Sequence, residues 1–83
     1  MELKETINLM TSADYKERFK AEYYQVKIRL EKLSAMCDKW DNGKLEFTPT
    51  CPREIYTYQI KSMKEYLDML VIRAKIENVE IGE

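Results

Sequence analysis

Residues 15–40 read YKERFKAEYYQVKIRLEKLSAMCDKW, and this stretch decides the fold. Its apolar residues Tyr15, Phe19, Tyr23, Val26, Leu30, Leu33, Cys37 and Trp40 recur in steps of four and three. That period is the seam of a helix lying along another helix. Upstream, Thr11 and Asp14 fit a capping box and Ser12 is a second N-cap candidate, so the helix is expected to begin near residue 12 or 13. Downstream, Asp41-Asn42-Gly43 supplies turn chemistry and a glycine placed to end it. The spacing therefore predicts a helix over 12–40.

A second seam follows in Tyr56, Ile60, Met63, Leu67, Leu70 and Ala74, which predicts a helix over 52–77. Pro52 suits its first turn, with Thr50 or Cys51 as cap. Thr48-Pro49 and Cys51-Pro52 disfavour helix before each proline, leaving 41–51 irregular, with Leu45 and Phe47 as a brief extended piece over the end of the pair. Residues 1–10 place Leu3, Ile7 and Met10 on one face, a helix too short to persist unless docked. Residues 78–83 are expected to fray. Two long helices joined by a loop of ~10 residues pack antiparallel. The expected fold is all-α: one domain over 1–83, an antiparallel two-helix hairpin with a short N-terminal docking helix.

Composition narrows the function. The chain has 83 residues, no histidine, two cysteines, two glycines and a net charge of −1. Without histidine, and with Cys37 and Cys51 as the only thiols, no familiar zinc set can be built. The commonest general base is missing as well. Two glycines cannot supply a glycine-rich phosphate loop. Asp14, Glu17, Glu22 and Glu31 read as solvated helix positions, not as paired catalytic carboxylates. We therefore expect a protein that is not an enzyme and needs no cofactor. The balanced charge argues against a nucleic-acid polymer as partner. No apolar run approaches the roughly 20 residues of a membrane span, and no basic run leads into an apolar block at the N-terminus, so an intracellular protein with reduced thiols is expected.

Both long helices carry apolar residues beyond their seams. The first adds Tyr24, Ile28 and Ala35; the second adds Ile55, Tyr66, Met69, Val71, Ile72 and Ile76. A lone hairpin cannot bury them all, and Leu3, Ile7 and Met10 are too few to cover both helices. Exposed apolar stripes of this length mark interfaces, so a homo-oligomer is expected. Cations flank the first seam: Arg18, Arg29 and Lys32 with Gln25 on one side, Lys16, Lys20 and Lys27 with Tyr24 on the other. Cations interleaved with tyrosines can hold an anionic, base-bearing ligand, the ring stacking on the base and the cation meeting phosphate. They are also what a solvated bundle needs at its flanks.

Two stretches carry a resemblance. One runs from Asp14-Tyr15 through Arg18 and Glu22 to Arg29-Leu30-Glu31-Lys32-Leu33; the other is Gln59, Met63, Tyr66-Leu67, Leu70 and Arg73. Together they resemble a group of short phage proteins with an opening D-Y-x-x-R, then E, then K-L, and a closing Q-x-x-x-M-x-x-Y-L-x-x-L-x-x-R. The loop from Asp38 to Cys51 falls outside the pattern. That group is similar, more distantly, to the helical hairpin of phage anti-CBASS and anti-Thoeris sponges. The resemblance implies an oligomer in the host cytoplasm that holds a cyclic nucleotide or cyclic ADP-ribose-type immune signal between protomers without degrading it. It also implies a tyrosine at the start of the long helix and a lysine further along serving the ligand. Here these are Tyr15 and either Lys27 or Lys32, with Arg18 three residues from Tyr15 on the same edge. The other expectation open at this point is an oligomeric hairpin that blocks a host protein through its apolar flank.

The surplus stripes give a direct test. Sedimentation at micromolar concentration should show a dimer or larger species, and a stable monomer contradicts the expectation.

Overall fold

The computed structural model describes residues 1–82 and is all helical apart from its connections. A 3-10 turn over Leu3–Thr6 runs into α1 (Ile7–Met10); α2 spans Tyr15–Asp41 and α3 spans Arg53–Glu77. The molecule measures 43 × 24 × 20 Å, its long axis set by the two long helices.

Local chemistry sets each boundary. The Asp14 carboxylate accepts from the Lys16 N–H at 2.9 Å, so Asp14 is the N-cap and α2 starts at Tyr15, later than the expected residue 12 or 13. Ser12 supports the cap from outside: its hydroxyl accepts from the Asp14 N–H at 3.0 Å and donates to Glu17 at 2.5 Å. Thr11 does not join this cap. Its hydroxyl donates back to the Ile7 carbonyl at 2.9 Å and closes α1. At the far end Gly43, at φ 69°, lets the Lys44 N–H reach the Lys39 carbonyl at 2.8 Å and the Gly43 N–H reach Trp40 at 3.0 Å. This pair of bonds satisfies carbonyls that the helix end leaves open. Pro52 sits just before α3, and neither Thr50 nor Cys51 caps the helix with its side chain. The joint is held instead by Arg53, whose Nε and Nη2 donate to the two Asp41 carboxylate oxygens at 3.0 Å each. Cys37 is buried, Cys51 is half-buried, and both are free thiols.

The core lies where the first turns of α2 meet the last turns of α3. Phe19 and Tyr23 pack with Leu70 and Ala74, and Val26, Leu67 and Val71 close around them. At the other end of the two helices the Trp40 and Tyr56 rings meet edge-on at 6.0 Å. The seam read from the sequence thus supplies the core, with one exception. Tyr15, its first position, is 47% exposed, because there it faces a polar cluster and not a neighbouring apolar side chain.

The C-terminal tail departs from expectation. Asn78 takes the left-handed conformation at φ 56° and the Val79 N–H returns to the Ala74 carbonyl at 2.8 Å. The chain then folds back, burying Val79 and Ile81 to 6% and 8% exposure in the main core. The Tyr24 hydroxyl donates to the Ile81 carbonyl at 3.0 Å, and Lys16 Nζ donates to the Asn78 carbonyl at 3.0 Å. Residues 78–82 are therefore a strap over the core; Glu83, the last residue of the expected frayed tail, lies outside the described residues.

The two termini between them cover Tyr24 and Ile28 of the surplus on α2, while Ala35 stays exposed. The tail covers Tyr24. The N-terminal segment docks on α2 through Gln25, which donates to the buried Thr6 hydroxyl at 3.0 Å, and Ala21 and Ile28 on either side of Gln25 are buried. On α3, Val71 is half-buried against the core, whereas Ile55, Tyr66, Met69, Ile72 and Ile76 are 44–75% exposed. Among the described residues no helix is long and apolar enough to cross a membrane.

The strap should contribute measurably. Ile81→Ala is expected to lower unfolding free energy by ~2 kcal/mol, the low end for deleting a buried aliphatic side chain. A denaturant titration showing no loss would mean that the tail frays.

Candidate functional site

The first turn of α2 and the last turns of α3 bring together residues far apart in the chain. The Tyr15 hydroxyl donates to Glu77 Oε1 at 2.6 Å and accepts from Arg73 Nη2 at 2.8 Å. Arg73 Nε also meets Glu77 Oε2 at 3.1 Å, which closes a three-membered ring of bonds. The Arg73 guanidinium lies 4.9 Å from the centre of the Phe19 ring, so the edge of the core fixes its position. Arg18 stands 6.0 Å from the centre of the Tyr15 ring, and its Nη1 donates to the Ser12 carbonyl at 2.8 Å. That partner is neutral, so the Arg18 charge is held in place without being cancelled by a carboxylate. Two turns along each helix from Arg73 and Tyr15, the Tyr66 hydroxyl donates to Glu22.

The electrostatics of this end favour holding over proton transfer. Bonding to the Glu77 carboxylate raises the Tyr15 phenol above its ordinary value, with desolvation adding to the effect. The phenol is therefore a proton-bearing donor at neutral pH and not a base. Bonds from Tyr15, and then from Arg73, hold the Glu77 carboxyl below its ordinary range. Bonding to Glu22 likewise raises the Tyr66 phenol.

Of the four residues singled out from the sequence, the structure brings two together. Tyr15 and Arg18 share an edge. Lys27 is 12 residues further along α2 and Lys32 is 17, or about 18 and 25 Å along the axis at 1.5 Å per residue. Lys27 Nζ sits 5.8 Å from the centre of the Tyr23 ring. Lys32 borders a separate groove with Arg29 and Gln59. Within one chain neither lysine reaches Tyr15. Sequence reasoning had no reason to place Arg73 and Glu77 beside Tyr15, although Arg73 closes the second motif. Its i, i+4 spacing to Glu77 was the one local signal available. Among the described residues no group of three or more cysteines, aspartates or glutamates is arranged to hold a metal ion.

A family model described as Sequestin matches residues 13–76, and the chain belongs to the Sequestin family. The match begins beside the α2 cap and ends one residue before Glu77. It takes in Tyr15, Arg18, Tyr66 and Arg73 and leaves out the N-terminal segment and the strap. No curated protein and no solved structure matches the chain.

The Tyr15–Glu77 pair generates a pH signature. A carboxyl held below its ordinary value of 4.5 contributes stability that is present above that value and lost as pH falls through the lower, folded-state value. The stability difference between wild type and Glu77→Gln should be present at pH 7 and shrink below pH 4.5. Chemical denaturation at a series of pH values measures it, and a difference independent of pH contradicts the assignment.

Proposed function

We propose that this member of the Sequestin family is a phage anti-defence sponge. It binds a host cyclic nucleotide, or a cyclic ADP-ribose-type immune signal, in the host cytoplasm and holds it without cleaving it. Family membership supports sequestration of a ligand or partner. The observation that carries the nucleotide reading is the half-exposed Tyr15 ring set between two guanidiniums, Arg18 at its face and Arg73 on its hydroxyl. A tyrosine face can stack on a base while guanidiniums meet phosphate oxygens in pairs.

In this reading the chain is an antiparallel hairpin that assembles through the open apolar face of α3, and the ligand lies between protomers. Assembly would bring Lys27 or Lys32 of one copy towards Tyr15 of another, which a single chain cannot do. Two clusters meeting at an interface raise local positive charge without any basic excess in the chain. The protein is not an enzyme: it works by stoichiometry, keeping the free signal below what its effector requires. The same open face, with Met69, Ile72 and Ile76 exposed, favours one other reading, in which the hairpin blocks a host protein.

A thermal-shift screen against cyclic di- and trinucleotides and ADP-ribose derivatives separates these. A ligand at 100 times its Kd adds about 2.7 kcal/mol of stability. Tyr15→Ala should weaken binding roughly ten- to a hundredfold, the loss of a stacking partner worth about 1–3 kcal/mol. A Tyr15→Ala protein that melts earlier but binds as before would make Tyr15 structural only. If no nucleotide in the panel binds the wild type, the protein-blocking reading replaces the sponge.

A further inference from the structure

The four arginines of the chain do not behave alike. Arg18 donates to the Ser12 carbonyl, Arg53 grips Asp41, and Arg73 bonds Tyr15 and Glu77. Among the described residues Arg29 alone of the four has no hydrogen bond or ion pair. It stands exposed at the rim of a groove of about 410 Å³ between α2 and α3, more than two helical turns from the Tyr15 cluster. Lys32, one turn further on, shares that rim, and it too has no carboxylate partner among the described residues. Across the groove α3 contributes Gln59, whose amide is likewise uncommitted. The remaining lining is apolar, made by Leu33, Met36 and Met63 with Leu3 of the N-terminal segment, all half-buried. A second concavity of about 260 Å³ continues past Lys32 and Met36 towards Leu45 and Phe47, so the groove extends along the molecule.

Each part has a chemistry. Two unneutralised cations one turn apart suit a phosphate or a phosphodiester. A free carboxamide offers a donor and an acceptor side by side, the pattern that matches the edge of a nucleobase. Methionine side chains form a soft, adaptable surface against which a flat ring can lie. The volume falls within the ~300–1,000 Å³ range of small-molecule sites. A bare anion would need the cations but not the apolar floor or the amide. A purely apolar guest would leave both cations facing it unpaired, which is costly.

We infer that this groove is a second binding site, for the base-and-phosphate unit of a nucleotide. Arg29 and Lys32 hold the phosphate, Gln59 meets the base edge, and Met36 and Met63 lie against the base. The inference rests on the proposed sequestration of a nucleotide signal and gives that ligand class a contact separate from Tyr15. In an assembly, a groove on one copy and a Tyr15 cluster on another could take the two halves of one cyclic dinucleotide.

The test is a ¹H–¹⁵N NMR titration of the full chain with cyclic di-AMP, with ADP-ribose and with inorganic phosphate, on wild type, Arg29→Ala, Gln59→Ala and Tyr15→Ala. Both groove positions are exposed, so these substitutions should leave the spectrum of the free protein largely intact. The inference expects one or both nucleotides to shift the signals of residues 29–36 and 59–63. It also expects Arg29→Ala and Gln59→Ala each to weaken that response at least tenfold, with phosphate alone far weaker. Nucleotide binding that shifts only the Tyr15 end, and is untouched by Arg29→Ala, overturns the groove site and leaves the proposed function standing. An equal response to phosphate, or loss with Arg29→Ala but not with Gln59→Ala, reduces the groove to a patch of charge and overturns the inference. No response to either nucleotide anywhere removes the groove site and the nucleotide-sponge reading together.

Discussion

Phe19 and Tyr23 on α2 must be buried against Leu70 and Ala74 on α3 for the rest of the molecule to exist. Even a helix rich in good helix formers is marginal in water on its own, and most of its stability in a protein comes from packing its apolar face. Burial of each large side chain is worth about 1.5–3 kcal/mol, so a cluster of this size is a large share of what an 83-residue chain can gather. The strap adds Val79 and Ile81 to the same cluster. The main core therefore lies at one end of the long axis, where α2 begins and α3 ends. Elsewhere Leu30 and Cys37 of α2 are buried as well, and the edge-on Trp40–Tyr56 pair and the Arg53–Asp41 clasp join the two helices.

The polar edge is a consequence of that core. Once Phe19 faces Leu70 and Ala74, Tyr15 is one turn earlier and Arg73 beside Ala74, so the phenol and the guanidinium have to meet. Glu77, one turn beyond Arg73, completes the ring of bonds. None of these groups is deeply buried, so their mutual bonds orient side chains more than they stabilise the fold. That is the state a binding edge requires: a ring and two guanidiniums held in position with a face left open. The distant groove follows from the same helix pair in a different way. There the helices meet through half-buried methionines and a leucine, and the rim cations remain unpaired.

Much of this fold could be read from the residues. The 4-3 spacing of the seams located both long helices, and Asp41-Asn42-Gly43 stopped the first where the bonds from Gly43 and Lys44 now show it stopping. The start of α2 was displaced because Thr11, Ser12 and Asp14, within four positions, all offer cap chemistry; only geometry decides that Asp14 takes the role. The strap escaped because five residues carry no period. Val79 and Ile81 look like a frayed end until Asn78 turns the chain back onto the core. The site was legible in halves. Tyr15 and Arg18 sit three apart on one helix and announce each other, whereas Arg73 reaches Tyr15 across 58 residues. Lys27 and Lys32 lie on opposite flanks of α2, each among other cations, but helical rise separates them from Tyr15 by several turns.

On the proposed function the chain captures a nucleotide signal and returns it unchanged. The most direct measurement mixes purified protein with a stoichiometric amount of each candidate signal, separates bound from free by filtration, denatures the protein and analyses the released ligand by mass spectrometry. One signal should be depleted from solution in fixed proportion to protein and recovered with its mass intact. Release of a cleaved product, or no depletion of any signal at micromolar protein, would contradict that function.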